Sequence, residues 1–108
     1  MSVLLEFAMF PTSDECRDGA SVSKYVSRII DAIDKSGVAY QLTPMGTIIE
    51  TDTVREALDI IALAYDQLEG ECERVYSSLK FDIRKAKKNR LKTKIASVEK
   101  ALGRKVEK

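Results

Sequence analysis

The chain has 108 residues, 44% of them hydrophobic and 32% charged, the balance of one globular domain over 1–108. No apolar run approaches the about 20 residues that carry a helix across a bilayer, and the opening Met-Ser-Val-Leu-Leu-Glu-Phe lacks the basic start of a signal peptide, so a cytoplasmic protein with no membrane partner is expected. The chain has no histidine, which removes the usual general base, the Ser-His-Asp triad and the Cys-His dyad; its net charge of +1 conceals −8 over residues 1–79 and +9 over 80–108.

Residues 3–10 alternate as a strand, with Val3, Leu5, Phe7 and Met9 on one face and Leu4, Glu6, Ala8 and Phe10 on the other. Residues 11–19, Pro-Thr-Ser-Asp-Glu-Cys-Arg-Asp-Gly, form a polar loop. Cys16 in that loop and Cys72 farther on have no Cys-x-x-Cys spacing and no histidine to complete a zinc site. In a cytosolic protein they read as ordinary reduced thiols, with redox sensing at Cys16, beside Arg17, as the minor alternative.

Residues 21–36 read as a helix. Val22, Tyr25, Val26, Ile29, Ile30 and Ile33 make its apolar stripe, Ser21 its N-cap, and Gly37 its left-handed C-terminal residue. Residues 38–43 form a second strand, which Pro44 ends or confines to an edge. A third strand spans 46–50. Thr53 and Glu56 have capping-box spacing before a second helix whose stripe is Val54, Ala57, Leu58, Ile61, Ala64, Tyr65 and Leu68, with Gly70 near its end. Tyr25, Tyr40 and Tyr65 are expected in the core.

Residues 74–84 make a fourth strand, with Val75, Ser77, Leu79, Phe81 and Ile83 on one face and Arg74, Tyr76, Ser78, Lys80, Asp82 and Arg84 on the other. Leu91, Ile95, Val98 and Leu102 mark a last helix after a basic connection. The order is β-α-β-β-α-β plus a terminal helix: an α+β, ferredoxin-like sandwich with an antiparallel four-stranded sheet, its first and third strands central. Two helices cover one face. The other is expected to be open, carrying Glu6, Gln41, Thr43, Tyr76, Ser78, Lys80 and Asp82 with Leu4, Ala8, Phe10 and Ile49. An open, half-apolar face meets another subunit or holds a ligand.

The corner Tyr-Gln-Leu-Thr-Pro-Met-Gly-Thr-Ile-Ile-Glu at 40–50 stands out, together with Arg-Val-Tyr-Ser-Ser-Leu-Lys-Phe-Asp-Ile-Arg at 74–84 and Lys-Ile-Ala-Ser-Val-Glu-Lys-Ala-Leu at 94–102. With Leu-Glu-Phe-Ala-Met-Phe-Pro at 5–11 and Ser-Val-Ser-Lys-Tyr-Val at 21–26, these stretches resemble the thiamine-binding-protein family of small ferredoxin-like domains over nearly the whole chain. The resemblance implies homodimers or homotetramers formed by pairing sheets, and binding of thiamine or its hydroxymethylpyrimidine part at subunit contacts, with no catalytic reaction attached. The chain departs from the family pattern in its longer, more acidic loop after Pro11 and in Thr51, where glycine commonly follows the glutamate.

The candidate ligand residues are Glu6, Ser21, Thr43, Met45, Gly46, Thr47, Glu50, Asp82 and Arg84. A flat aminopyrimidine suits an apolar slot with a few directed polar groups. Met45 can lie against a ring, the hydroxyls of Thr43 and Thr47 donate and accept, and Gly46 admits close backbone approach. Glu50, Glu6 and Asp82 can accept from an amine or balance a thiazolium. Structural readings stand beside these: Pro44-Met45-Gly46 as turn chemistry, Glu6 and Asp82 paired with Lys80 or Arg84 across strands, and Arg84 beside Asp82 as an interface salt bridge. Tyr76 is a candidate for interface or ligand stacking.

Residues 84–94 hold seven cations in eleven positions. They read first as a solvated loop and helix start, then as a phosphate or small-anion contact, then as a weak nucleic-acid binder; the run lacks the interleaved aromatics of single-strand binders. No catalytic residue, metal ligand or cofactor is assigned. The leading expectation is a non-enzymatic ligand-binding oligomer, and the alternative is a structural or regulatory interaction domain with no small ligand.

Overall fold

The computed structural model of the protein describes residues 1–17, 19, 21–86 and 88–107. Strand β1 spans Ser2–Pro11, helix α1 Ser23–Ser36, β2 Ala39–Thr43, β3 Gly46–Thr51, α2 Val54–Glu69, β4 Val75–Arg84 and α3 Arg90–Leu102; a single 3-10 turn, Asp14–Cys16, interrupts the first loop. The four strands form one antiparallel sheet in the order β2-β3-β1-β4, so β1 and β3 are central as expected.

The register decides which side chains share a face. Val3, Leu5 and Phe7 lie opposite Thr51, Ile49 and Thr47 on β3 and opposite Ile83, Phe81 and Leu79 on β4. This is the face toward α1 and α2, where Val3, Leu5, Phe7, Met9, Tyr25, Ile29, Ile33, Ile49, Ala57, Ala64 and Leu68 form one buried core. Side chains no larger than alanine at 57 and 64, one stripe apart, let α2 lie close to its neighbours. Each fully buried Val, Leu or Ile contributes about 1.5–3 kcal/mol of burial.

Local signals set several boundaries. Gly37 takes φ 82° at the end of α1, the left-handed conformation expected there. Val22, not Ser21, occupies the N-cap of α1, and its side chain makes no cap; Ser21 instead accepts from the Ser23 amide through its Oγ. The capping box of α2 is half formed: Glu56 N–H donates to Thr53 Oγ1 at 3.1 Å, while the Thr53 hydroxyl donates to the Glu56 carboxylate.

Further expectations are corrected. Ile49 belongs to the core and not to the opposite face, because it lies across from Leu5 in the register. Tyr65 is exposed, as is Leu58, since α2 turns Ala57, Ala64 and Leu68 into the core instead. The two helices also leave the outer strand uncovered, so Leu79, Phe81 and Ile83 of β4 face their side of the sheet but remain exposed. Cys16 and Cys72 are not free thiols: they form a buried disulfide that joins the first loop to the α2–β4 connection. The same two segments are held by Glu73 N–H donating to the Glu15 carboxylate and Thr12 N–H donating to Arg74 O at 2.8 Å.

The far face is not bare either. It includes Leu4, Glu6 and Ala8 of β1, with Glu50 and Ile48 of β3 opposite the first two and Asp82, Lys80 and Ser78 of β4 opposite all three. α3 begins on this face at the Ser2–Glu50–Asp82 end, and Leu4 beneath it is buried. No helix among the described residues is long and apolar enough to cross a membrane.

Candidate functional site

The β2–β3 corner is built by its own side chains. Thr43 Oγ1 donates to Gly46 O at 2.8 Å and accepts from the amides of Met45 and Gly46 at 3.3 and 3.1 Å. One hydroxyl therefore closes the turn around Pro44 and Met45, an ordinary use of threonine at a chain reversal. Gly46 is required for space: a Cβ there would stand 2.8 Å from the Phe7 carbonyl oxygen. With no side chain at 46, β3 starts close against β1. Met45 at the tip is 88% exposed.

Beside this corner lies a cavity of about 270 Å³. Phe7, Met9, Val26 and Ile29 contribute apolar wall, and Thr43 through Thr47 form its corner side. Thr43 has its hydroxyl committed to the turn, whereas Thr47 lines the cavity while only 5% exposed. The chemistry on offer is a slot for a flat apolar body with one or two polar contacts.

The predicted carboxylates stand elsewhere. Glu50 lies at the opposite end of β3, on the far face, and both its oxygens are engaged. Its Oε2 accepts from Arg90 N–H at 2.8 Å and from the Ser2 hydroxyl, and its Oε1 accepts from Leu91 N–H at 3.2 Å. It thus caps the first turn of α3, which Asn89 does not do: Asn89 is left-handed, φ 57°, and its side chain makes no cap bond. Burial opposes ionisation of Glu50, but the bonds from Ser2, Arg90 and Leu91 and the Arg90 charge outweigh it and hold the carboxyl below its ordinary value.

Arg90 is 4% exposed. Its Nε donates to Ser2 Oγ at 3.1 Å, its Nη2 to Ser2 O at 2.8 Å and to Asp82 O, and its Nη1 pairs with Asp82 Oδ2 at 2.9 Å. Lys94 Nζ reaches the same Asp82 oxygen at 2.9 Å. The bonds from Lys94 and Arg90 hold the Asp82 carboxyl below its usual range. A guanidinium satisfied on all sides is a fixed anchor. One of the seven cations of the basic run therefore points inward and a second is paired; Lys87 of that run lies outside the described residues.

The remaining candidates are dispersed. Glu6 faces Lys80 across β1 and β4 and pairs with it at 3.1 Å. Asp82 is paired with Arg90 and Lys94 instead of Lys80 or Arg84. Ser21 precedes α1, and Arg84 ends β4. Tyr76 sits against Phe10 with ring centroids 5.9 Å apart on the far face. The structure thus gathers Thr43, Met45, Gly46 and Thr47 at one cavity and draws Glu50 and Asp82 to Arg90. A wider groove of about 860 Å³ runs between α3 and β2–β3, past Gln41, Glu50 and Thr93. The sequence reading missed Arg90 and Ser2, because nothing local distinguishes one arginine in a basic run or a serine at residue 2.

The profile of a family described as "Thiamine-binding protein" matches residues 5–99. The chain belongs to the thiamine-binding protein family. Among curated members of this kind, the UPF0045 protein MJ1052 of Methanocaldococcus jannaschii is 38% identical over 80 residues, covering 74% of this chain and 79% of its own. The UPF0045 protein Mb1933 of Mycobacterium bovis is 31% identical over 102 residues, covering 94% and 96%. The crystal structure of MJ1052 superposes with a TM-score of 0.76 at 33% identity over 90% of this chain and 95% of that one. A Thermotoga maritima protein described as a candidate thiamine biosynthesis/salvage protein superposes with a TM-score of 0.72 at 20% identity, over 91% and 99%, a likeness of fold.

Proposed function

We propose that this family member is a non-enzymatic cytoplasmic protein that binds a pyrimidine of the thiamine type, with the ring in the cavity beside the β2–β3 corner. The observation that carries this reading is the cavity itself: about 270 Å³, apolar along β1 and α1, with the nearly buried Thr47 on its corner side. That volume lies just below the range of about 300–1,000 Å³ typical of drug-sized ligands, which favours the single hydroxymethylpyrimidine ring over thiamine with both rings and any phosphates. The walls supply ring contact, and the Thr47 hydroxyl can donate and accept at an aminopyrimidine edge.

The reading includes self-assembly as a dimer or tetramer. Leu42 and Met45 on the cavity rim are exposed apolar side chains, and a second copy lying over them would complete the slot.

Isothermal calorimetry with hydroxymethylpyrimidine and with thiamine tests the reading. Heat of binding is expected for the single ring, with weaker binding of thiamine. Thr47→Val, which keeps the shape and removes the hydroxyl, should weaken it by about 2- to 12-fold, the worth of one neutral hydrogen bond. No heat from either compound at millimolar concentration overturns the proposal.

A further inference from the structure

We infer that Leu42 determines the specificity of the ring cavity: its side chain walls the cavity off from a second hollow along α1, so that the site takes an uncharged aromatic ring with a short substituent and turns longer ligands away. This deepens the proposed function and rests on its placement of the ring.

Leu42 stands on β2 directly opposite Thr47 on β3. Opposed residues of an antiparallel pair hold their Cβ atoms about 4.5–5.5 Å apart, so Leu42 adjoins the hydroxyl that meets the ring edge. β2 is an edge strand, and Leu42 is 57% exposed on it. Beyond Leu42 lies a hollow of about 360 Å³, lined by Val22, Ser23, Val26, Ser27, Ile30 and Leu42. Val22, Val26 and Ile30 border the ring cavity as well. Spaced four apart, they form one row along α1, a continuous wall that runs past both spaces. None of Thr43–Thr47 reaches the second hollow. Among the described residues Leu42 is the one sheet residue that borders both spaces, so it is the side chain that separates them.

Size and charge together name the ligand class. With Leu42 in place the ring has about 270 Å³, and a second ring must displace Leu42 to find more room. Joined, the two spaces enter the range of about 300–1,000 Å³ that takes drug-sized ligands, which the ring cavity alone does not reach. Neither lining contains a charged side chain. The Ser27 hydroxyl in the second hollow donates to Lys24 O at 2.8 Å, and Ser23 Oγ accepts from the Ser21 hydroxyl at 3.2 Å. A permanently cationic thiazolium would therefore be desolvated there with no carboxylate beside it. The fitting ligand is a neutral ring, and Leu42 sets how far its substituent extends.

Calorimetry with three probes tests this in the full chain: hydroxymethylpyrimidine, thiamine, and a neutral two-ring analogue of thiamine with thiophene in place of thiazolium. The unchanged chain should bind the single ring most tightly. Leu42→Ala joins the two spaces. It should raise the affinity for the neutral two-ring analogue relative to the single ring by about 10-fold or more, the scale on which an apolar pocket discriminates by size. Thiamine should gain less than the neutral analogue, for want of a counter-charge. Leu42→Met restores the bulk and should restore the preference of the unchanged chain. If Leu42→Ala does not fold, Leu42→Val shortens the side chain with a residue suited to a strand and is read in the same way. A shortened variant that binds both neutral probes in the original ratio, or weakens both equally, overturns the role of Leu42 and leaves the ring reading standing. An unchanged chain that binds none of the three overturns both.

Discussion

Glu50 and Arg90 meet across 40 residues of sequence: the Arg90 amide donates to Glu50 Oε2 at 2.8 Å, while the Arg90 guanidinium runs on to Ser2 and Asp82. One carboxylate from the sheet caps the helix, and the first side chain of the helix is buried back in the sheet. α3 is therefore held at its first turn, with much of its length exposed beyond it.

Glu50→Gln should release that turn. The amide can keep an acceptor oxygen but loses the charge and one of its acceptor sites, and hydrogen bonds to charged groups are worth about 1.5–3 kcal/mol. Hydrogen exchange is the readout: amides of α3 should lose protection while those of α1 and α2 keep theirs. Equal loss throughout the chain would contradict a local anchor.

Stability should fall with acid through the same two carboxyls. Glu50 and Asp82 both sit below their ordinary values of 4.5 and 3.8 in the folded state. A depressed folded pKa means that the unfolded chain takes up protons first; the stabilisation is complete above the ordinary values and drains away as pH falls through the depressed ones. Urea melts from pH 6 downward should show a falling midpoint beginning near pH 4.5. The slope should be shallower in Glu50→Gln, and an unchanged slope would remove Glu50 from the account.

Two glycines should respond oppositely to alanine. At Gly46 the new Cβ meets the Phe7 backbone oxygen at 2.8 Å, so Gly46→Ala should destabilise by about 1–3 kcal/mol, the range for overpacking. At Gly70 the backbone is right-handed, φ −72°, with nothing within 4 Å of a Cβ. Gly70→Ala should be neutral or stabilise by about 0.4–1 kcal/mol through the unfolded state. Thermal melts of the pair check both signs.

Reduction should loosen the cavity end of the molecule. Cys16 and Cys72 are separated by 56 positions, for which the chain-entropy estimate of a cross-link is about 4 kcal/mol. Cys16→Ser with Cys72→Ser, or dithiothreitol on the native chain, should lower the denaturation midpoint by a comparable free energy. No change in midpoint would mean that the backbone bonds between residues 12–15 and 73–74 suffice. Ligand binding should be assayed in both the oxidised and the reduced chain, because a reducing compartment would open this cross-link.

What could be read from the sequence was local. Period-two and helical spacing marked the four strands and three helices, because each side chain's face follows from the backbone repeat within a few residues. Gly37 and the Thr43–Gly46 turn were legible for the same reason: the groups that need each other lie three or four positions apart. What only the tertiary structure decided depends on pairs brought together from afar. The β1–β3 register sent Ile49 inward and Glu50 outward, and a shift of one residue would exchange them. Cys16 met Cys72, and Arg90 left a basic run to be buried between Ser2 and Asp82, because a buried charge survives only where several distant acceptors converge on it. The cavity too is a gap between β1, α1 and the corner, which belongs to none of the three segments alone.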